Sequence, residues 1–154
     1  MSEENVHKIT AEEKLEQKDD EALEKIAELK EILKKPFKIN PSEIDKEIIH
    51  TISEMHRYNT EIAEARVNLT AIKRKKNKVY GELYQKYKFN YDYKLDNKHE
   101  IETWIERSPK YQLIVTYYEH QITHIKYLEA VVQGLKDKRW AIRDIIENLK
   151  IELG

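Results

Sequence analysis

Five positive charges fall within six residues at Lys73-Arg74-Lys75-Lys76-Asn77-Lys78. On a helix of 3.6 residues per turn such a run spreads round more than half the circumference. Like charges this close destabilise one another unless anions sit nearby. Nucleic acid supplies those anions and releases its own counterions on binding. Aromatic residues follow at once: Tyr80, Tyr84, Tyr87, Phe89, Tyr91 and Tyr93. Cations beside flat rings suit a single strand, because every exposed base has a face that stacks on an aromatic ring. Candidate nucleic-acid contacts are therefore Lys73, Arg74, Lys75, Lys76, Lys78, Tyr80, Tyr84 and Lys86, with Tyr87 also available for stacking. A solvated basic face beside core tyrosines has the same composition, and the residues alone leave both readings open.

A second cluster, Lys136, Lys138, Arg139, Trp140 and Arg143, lies near the C-terminal end. Trp140 falls off the local apolar stripe, and an exposed Trp commonly anchors a subunit interface. His120 and His124 stand four apart and share a helix face, which is metal-ligand spacing. The zinc-protease pattern requires Glu directly after the first His, where this chain has Gln121, and no third ligand is assignable. Structural histidines are the expectation, with no metal and no cofactor. There is no phosphate loop, no Gly-x-Ser-x-Gly and no dinucleotide fingerprint. Carboxylates abound, but on exposed helix faces they lack the desolvation that tunes a general acid or base. The chain reads as a binding protein, not an enzyme.

The elements that must carry these residues are helices. Leu23, Ile26, Leu29, Ile32 and Leu33 follow helical spacing from Glu21 to the break at Pro36. Phe37 and Ile39 anchor an extended connector on a neighbouring helix. Asn40-Pro41 then pairs an N-cap side chain with proline at the first helical position. Ile44, Ile48, Ile52, Met55, Ile62, Leu69, Ile72, Val79 and Leu83 continue one stripe for nearly 40 residues, about 60 Å at helical rise. Gly81 weakens that helix locally and could mark a kink. Residues 89–97 read as a connector and 98–107 as a short helix bearing Ile101, Trp104 and Ile105. Ser108-Pro109 repeats the cap-plus-proline start. The second long stripe runs through Ile114, Tyr118, Ile122, Ile125, Leu128, Val132, Leu135, Ile142, Ile146, Leu149 and Leu153. The expected fold is all-α: a long antiparallel helical hairpin with short flanking helices, whose three-four spacing also permits association between chains.

Charge sharpens this division. The net charge of −1 conceals a local −6 over residues 1–24 and +6 over residues 57–88. Residues 1–20 read as an acidic disordered tail, and 21–154 as one helical domain. With 37% charged residues the core cannot be thick, yet 40% hydrophobic residues are too many for a disordered chain. Without cysteine there is no disulfide, thiolate nucleophile or zinc–cysteine site. The N-terminus lacks a secretory pattern, and no apolar run nears the roughly 20 residues that cross a bilayer. Tyrosines flanking the basic segment also disfavour a membrane-surface helix. A cytoplasmic location, without membrane partners, is expected.

The order of these features resembles the UvsY family of phage recombination mediators over about residues 27–153. The resemblance rests on Leu29-Lys30-Glu31-Ile32-Leu33-Lys34-Lys35, the Phe37-Lys38-Ile39-Asn40 connector and the basic, aromatic-flanked long helix. It is closest at Tyr127-Leu128-Glu129-Ala130-Val131-Val132 and at Asp137-Lys138-Arg139-Trp140-Ala141-Ile142-Arg143-Asp144-Ile145-Ile146-Glu147. It implies a non-enzymatic factor that binds single-stranded DNA, displaces single-strand-binding protein and loads a RecA-like recombinase in an infected bacterial host. It further implies a homo-oligomeric ring assembled through the C-terminal helix, about 109–153, and so assigns Leu135, Trp140, Ile142, Ile146 and Leu149 to oligomerisation. Lys78 matches a DNA-binding lysine of the family's Lys-x-Arg-Leu segment, whereas Tyr80 stands where that segment has arginine. A structural or adaptor coiled coil without nucleic-acid affinity is the alternative.

Overall fold

The computed structural model describes residues 9–35, 37–89, 95 and 97–154. Its helices are α1 (Ala11–Lys34), α2 (Ile44–Phe89), α3 (Lys98–Arg107) and α4 (Pro109–Leu153), with a 3-10 turn at Pro41–Glu43 before α2. No strand occurs among the described residues. Contacts group the chain into two compact units, residues 1–23 with 69–121 and residues 24–68 with 122–154.

Local sequence explains each helix start. Asn40 accepts from the Ser42 amide at 3.1 Å, and Asn97 accepts from the His99 amide at 3.0 Å. At α1 the Thr10 hydroxyl accepts from the Glu13 amide at 3.2 Å while the Glu13 carboxylate accepts from the Thr10 amide at 2.8 Å. This reciprocal capping box satisfies two otherwise open donors. Glu12 and Glu13 also sit in the first turn, where the helix dipole favours negative charge. Residues 11–20, expected to belong to the tail, are accordingly helical. The remainder of that segment, residues 1–8, lies outside the described residues.

In the first unit α2 and α4 run antiparallel, with Lys76 opposite Tyr118 and Glu82 opposite Lys110. One apolar cluster joins Leu83 and Tyr87 to Leu95, Ile101 and Ile105. A second joins Ala22 of α1 to Ile72, Ile114 and Tyr117. The short α3 thus holds its place with Ile101 and Ile105, which are 1% and 0% exposed. Full burial of one such side chain is worth roughly 1.5–3 kcal/mol.

In the second unit α2 and α4 are again antiparallel, with Glu47 opposite Lys138 and Arg66 opposite Glu129. The buried set includes Ile26 and Leu29 of α1, Tyr58 and Ile62 of α2, and Leu128, Val131, Leu135 and Ile142 of α4. Phe37 of the connector is half-buried where α4 presents Gly134; a Cβ on Gly134 would overlap the Phe37 ring.

The buried line of α2 differs from the expected stripe in an informative way. Ile44, Ile48, Thr51, Met55, Tyr58, Ile62, Ala65, Leu69, Ile72, Lys76, Val79 and Leu83 are all buried or half-buried, in alternating steps of four and three. That is a strict seven-residue repeat, the period of a helix packed along a coiled-coil seam. Ile52, expected on the stripe, is 52% exposed, and Thr51 occupies the seam with its hydroxyl unpartnered among the described residues. Seam position, set by the neighbouring helices, overrides the apolarity of the individual residue.

The two helical glycines separate propensity from packing. Nothing lies within 4 Å of a Cβ built on Gly81, so Gly81→Ala should raise unfolding stability by about 1 kcal/mol. Gly134→Ala offers the same propensity gain, but overpacking costs about 1–3 kcal/mol. Urea titration should therefore show the first variant stabilised and the second destabilised.

Candidate nucleic-acid interface

The basic segment lies in the first unit, and the seam of α2 decides how each cation is presented. Ile72, Val79 and Leu83 face inward, so Lys73, Arg74, Lys75 and Lys78 are left exposed. None of these four is in an ion pair among the described residues. Other basic residues are engaged: Arg57 by Glu54 at 2.7 Å, Arg66 by Glu129 at 2.6 Å and Lys46 by Glu43 at 2.8 Å. Lys86 is also exposed, 6.0 Å from the Tyr87 ring centre. Lys76 occupies a seam position, half-buried, with its ammonium 4.4 Å from the Tyr118 ring centre. A cation over a ring face is attracted by the negative potential of that face.

The aromatic residues divide into core and flank. Tyr87, a candidate for stacking on bases, is 9% exposed inside the cluster with Leu83, Ile101 and Ile105, so its face is occupied. Tyr80 and Tyr84 are half-buried and stack with ring centres 6.5 Å apart at 24°. Tyr80 also meets Tyr111 edge-on, at 5.8 Å and 61°. Lys88 stands 5.7 Å from the Tyr84 ring and 5.4 Å from Phe89, which is 65% exposed. Tyr91 and Tyr93 lie outside the described residues. At helical spacing, Lys73, Asn77, Tyr80 and Tyr84 share one flank of α2. One cation, one amide and two rings therefore follow one another along this flank, with Lys88 beyond them beside Tyr84.

Two carboxylates that sequence reasoning did not single out border this flank. Glu102 and Glu106 of α3 line a cleft with Lys76, Tyr80, Tyr111 and Gln112. Burial pushes the Tyr80 phenol above its ordinary pKa, and Glu102, Tyr111, Tyr84 and Glu106 push it further the same way. Their spacing of four on a short helix was readable, but their approach to Tyr80 depends on the path between α2 and α3.

The C-terminal cluster does not hold together as one site. Lys138 is a seam residue, 8% exposed, and donates to Glu47 at 2.6 Å. The Lys138 hydrogen bond holds the Glu47 carboxyl below its ordinary pKa against a smaller opposing effect of burial. Glu47 also accepts from the Asn40 amide at 3.4 Å, tying the connector to the start of α2. Trp140 is 57% exposed beneath the Arg143 guanidinium at 5.3 Å. Leu135 and Ile142, two expected oligomerisation residues, are 4% and 1% exposed within this chain, so their surface is already used. Ile146 is half-buried, and Leu149 is 44% exposed.

His120 and His124 both meet α1 or the interior of their own unit. His120 Nδ1 lies 2.6 Å from Asp19 of α1. His124 is 9% exposed, and burial, helped by Lys25, lowers its pKa from the ordinary 6.5. No group of three potential metal ligands occurs among the described residues. No helix among them is long and apolar enough to cross a membrane. Neither a protein-family model, nor a curated protein, nor a solved structure matches the chain.

A pH dependence of stability follows from His124. Folding lowers the His124 pKa, so the folded chain binds a proton less readily than the unfolded chain, which titrates near 6.5. Lowering the pH through that value favours the unfolded state. Melting temperature should fall between about pH 7.5 and pH 5.5, and the fall should be smaller in His124→Leu. Equal slopes for the two proteins would contradict this.

Proposed function

We propose that this protein is a non-enzymatic recombination mediator of the UvsY type. It binds single-stranded DNA and promotes loading of a RecA-like recombinase in place of single-strand-binding protein, working as a homo-oligomer in the cytoplasm of an infected bacterial host. The observation that carries the reading is the second half of α2, where Lys73, Arg74, Lys75 and Lys78 are exposed without an ion pair among the described residues and Lys73 shares a flank with the stacked rings of Tyr80 and Tyr84. Unpaired cations crowded on one helix raise the energy of the free protein, and a phosphate backbone relieves it. Rings held at the same flank accept bases without regard to their order. Trp140 and Leu149 remain available to a second copy. Repeating one modest DNA site around an oligomer multiplies its affinity through effective concentration.

An adaptor coiled coil without nucleic-acid affinity is the second reading. It draws support from Ile49 and Val67, which are 70% and 74% exposed on α2 and offer an apolar surface to a partner helix.

Fluorescence anisotropy with a labelled single-stranded oligonucleotide separates the two. The wild type should bind with a log–log salt slope of about −3 per chain, given about 0.7 per neutralised phosphate. Lys73/Arg74/Lys75/Lys78→Glu should lose binding by at least about tenfold while circular dichroism and oligomer size stay unchanged. Absence of wild-type binding at low salt would favour the adaptor.

A further inference from the structure

The cleft beside the basic flank has a chemistry that phosphate binding does not use. It is open, about 490 Å³ in volume, and one wall is the edge-to-face pair Tyr80–Tyr111. Its polar border is rich in acceptors. Glu102 and Glu106 can only accept while ionised, and Lys98 stands 3.8 Å from one oxygen of Glu102 only. Gln112 donates its side-chain amide to the Glu106 backbone carbonyl at 3.1 Å, leaving its own carbonyl oxygen as a further acceptor. Lys76, the cation in the lining, is drawn over the Tyr118 ring. A ligand that fits this border must be flat enough to lie along the rings and must bring hydrogen-bond donors.

We propose that this cleft receives a splayed-out nucleobase bearing an amino group, with one ring of the Tyr80–Tyr111 pair against its face, the other at its rim, and Glu102 and Glu106 accepting from its donor edge. The proposal rests on the single-stranded DNA reading and adds a base preference to it. Cytosine, adenine and guanine each present an exocyclic amine, whereas thymine offers one ring N–H between two carbonyl oxygens. Those carbonyls meet the carboxylates with like partial charge. A single strand gives up its bases readily, since its edges are unpaired and its stacks are weak. A lysine or arginine side chain from a protein partner would also satisfy the acceptors. The exposed Lys73, Arg74, Lys75 and Lys78 on the adjoining turns repel a basic peptide and attract a polyanion, which favours the nucleic acid.

The test uses the full chain with two labelled oligonucleotides of equal length, oligo(dC) and oligo(dT), chosen because pyrimidine strands stack little on themselves. The wild type should bind oligo(dC) about fivefold tighter than oligo(dT), the low end of what a paired base contact discriminates. Glu102→Gln/Glu106→Gln keeps the shape of the cleft but adds donors, and should abolish the preference while both oligonucleotides still bind. Glu106→Gln alone, at an exposed position, should halve the preference and serves if the double variant fails to fold. Equal binding of the two oligonucleotides by the wild type, or tighter binding of oligo(dT), would overturn the base preference and leave the DNA reading standing. A preference unchanged in both variants would place its origin elsewhere and overturn the assignment. Absence of binding to either oligonucleotide would remove both readings together. Displacement of oligo(dC) by an oligoarginine peptide acting on the protein would assign the cleft to a basic partner instead.

Discussion

Everything in this chain depends on which face of α2 is buried. The seven-residue repeat from Ile44 to Leu83 fixes that face, and a helix with a 3.5-residue apolar period must keep it against its neighbours along its length. Once Ile72, Val79 and Leu83 are inside, the exposure of Lys73, Arg74, Lys75 and Lys78 follows by geometry. The site is thus the outward consequence of an inward constraint. A one-residue slip of the seam towards the C-terminus would turn Asp45, Arg66 and Lys73 inward, and burying a charge without a partner is costly.

The buried and half-buried faces of the helices also admit polar residues, and each is handled differently. Lys138 finds Glu47, Asp19 finds His120, and Lys76 finds the face of Tyr118. Burial disfavours the protonated form of His124, whereas the Thr51 hydroxyl goes without a partner among the described residues. An apolar residue at these positions would pack at least as well. Specific polar pairs can single out one register among several that an apolar heptad would allow. In the second unit Lys138–Glu47 is such a polar pair, and Glu47 also receives the Asn40 amide from the connector.

Much of this was legible in the sequence. Asn40-Pro41, Ser108-Pro109 and the break at residues 89–97 located three helix boundaries, because capping and proline chemistry act locally. The all-helical class followed from the spacing of aliphatic residues. The start of α1 was missed because acidic charge was weighed above the Thr10–Glu13 capping box, itself a local signal. Thr51, Tyr58, Ala65 and Lys76 were missed as seam residues because only large aliphatic side chains and methionine were followed along α2, and the repeat shows itself only when all twelve positions are taken together. Tyr87 read as a stacking platform, but Ile101 and Ile105 of α3 cover it, and contact between helices is a tertiary fact. Glu102 and Glu106 joined the tyrosines for the same reason. Leu135 and Ile142 were given to a partner although the chain uses them itself, a distinction that a stripe of apolar residues cannot express.

DNA binding through the α2 flank is tested most directly by finding where a single strand touches the chain. Photocrosslinking of the wild-type protein to single-stranded DNA, followed by mass spectrometry of the adducts, reads this directly. Adducts confined to the segment from Lys73 to Phe89 and to Tyr111, with Tyr80 or Tyr84 modified and Tyr87 spared, are the predicted result. Adducts concentrated at Trp140 and its neighbours on α4, with the α2 flank unmodified, would contradict it.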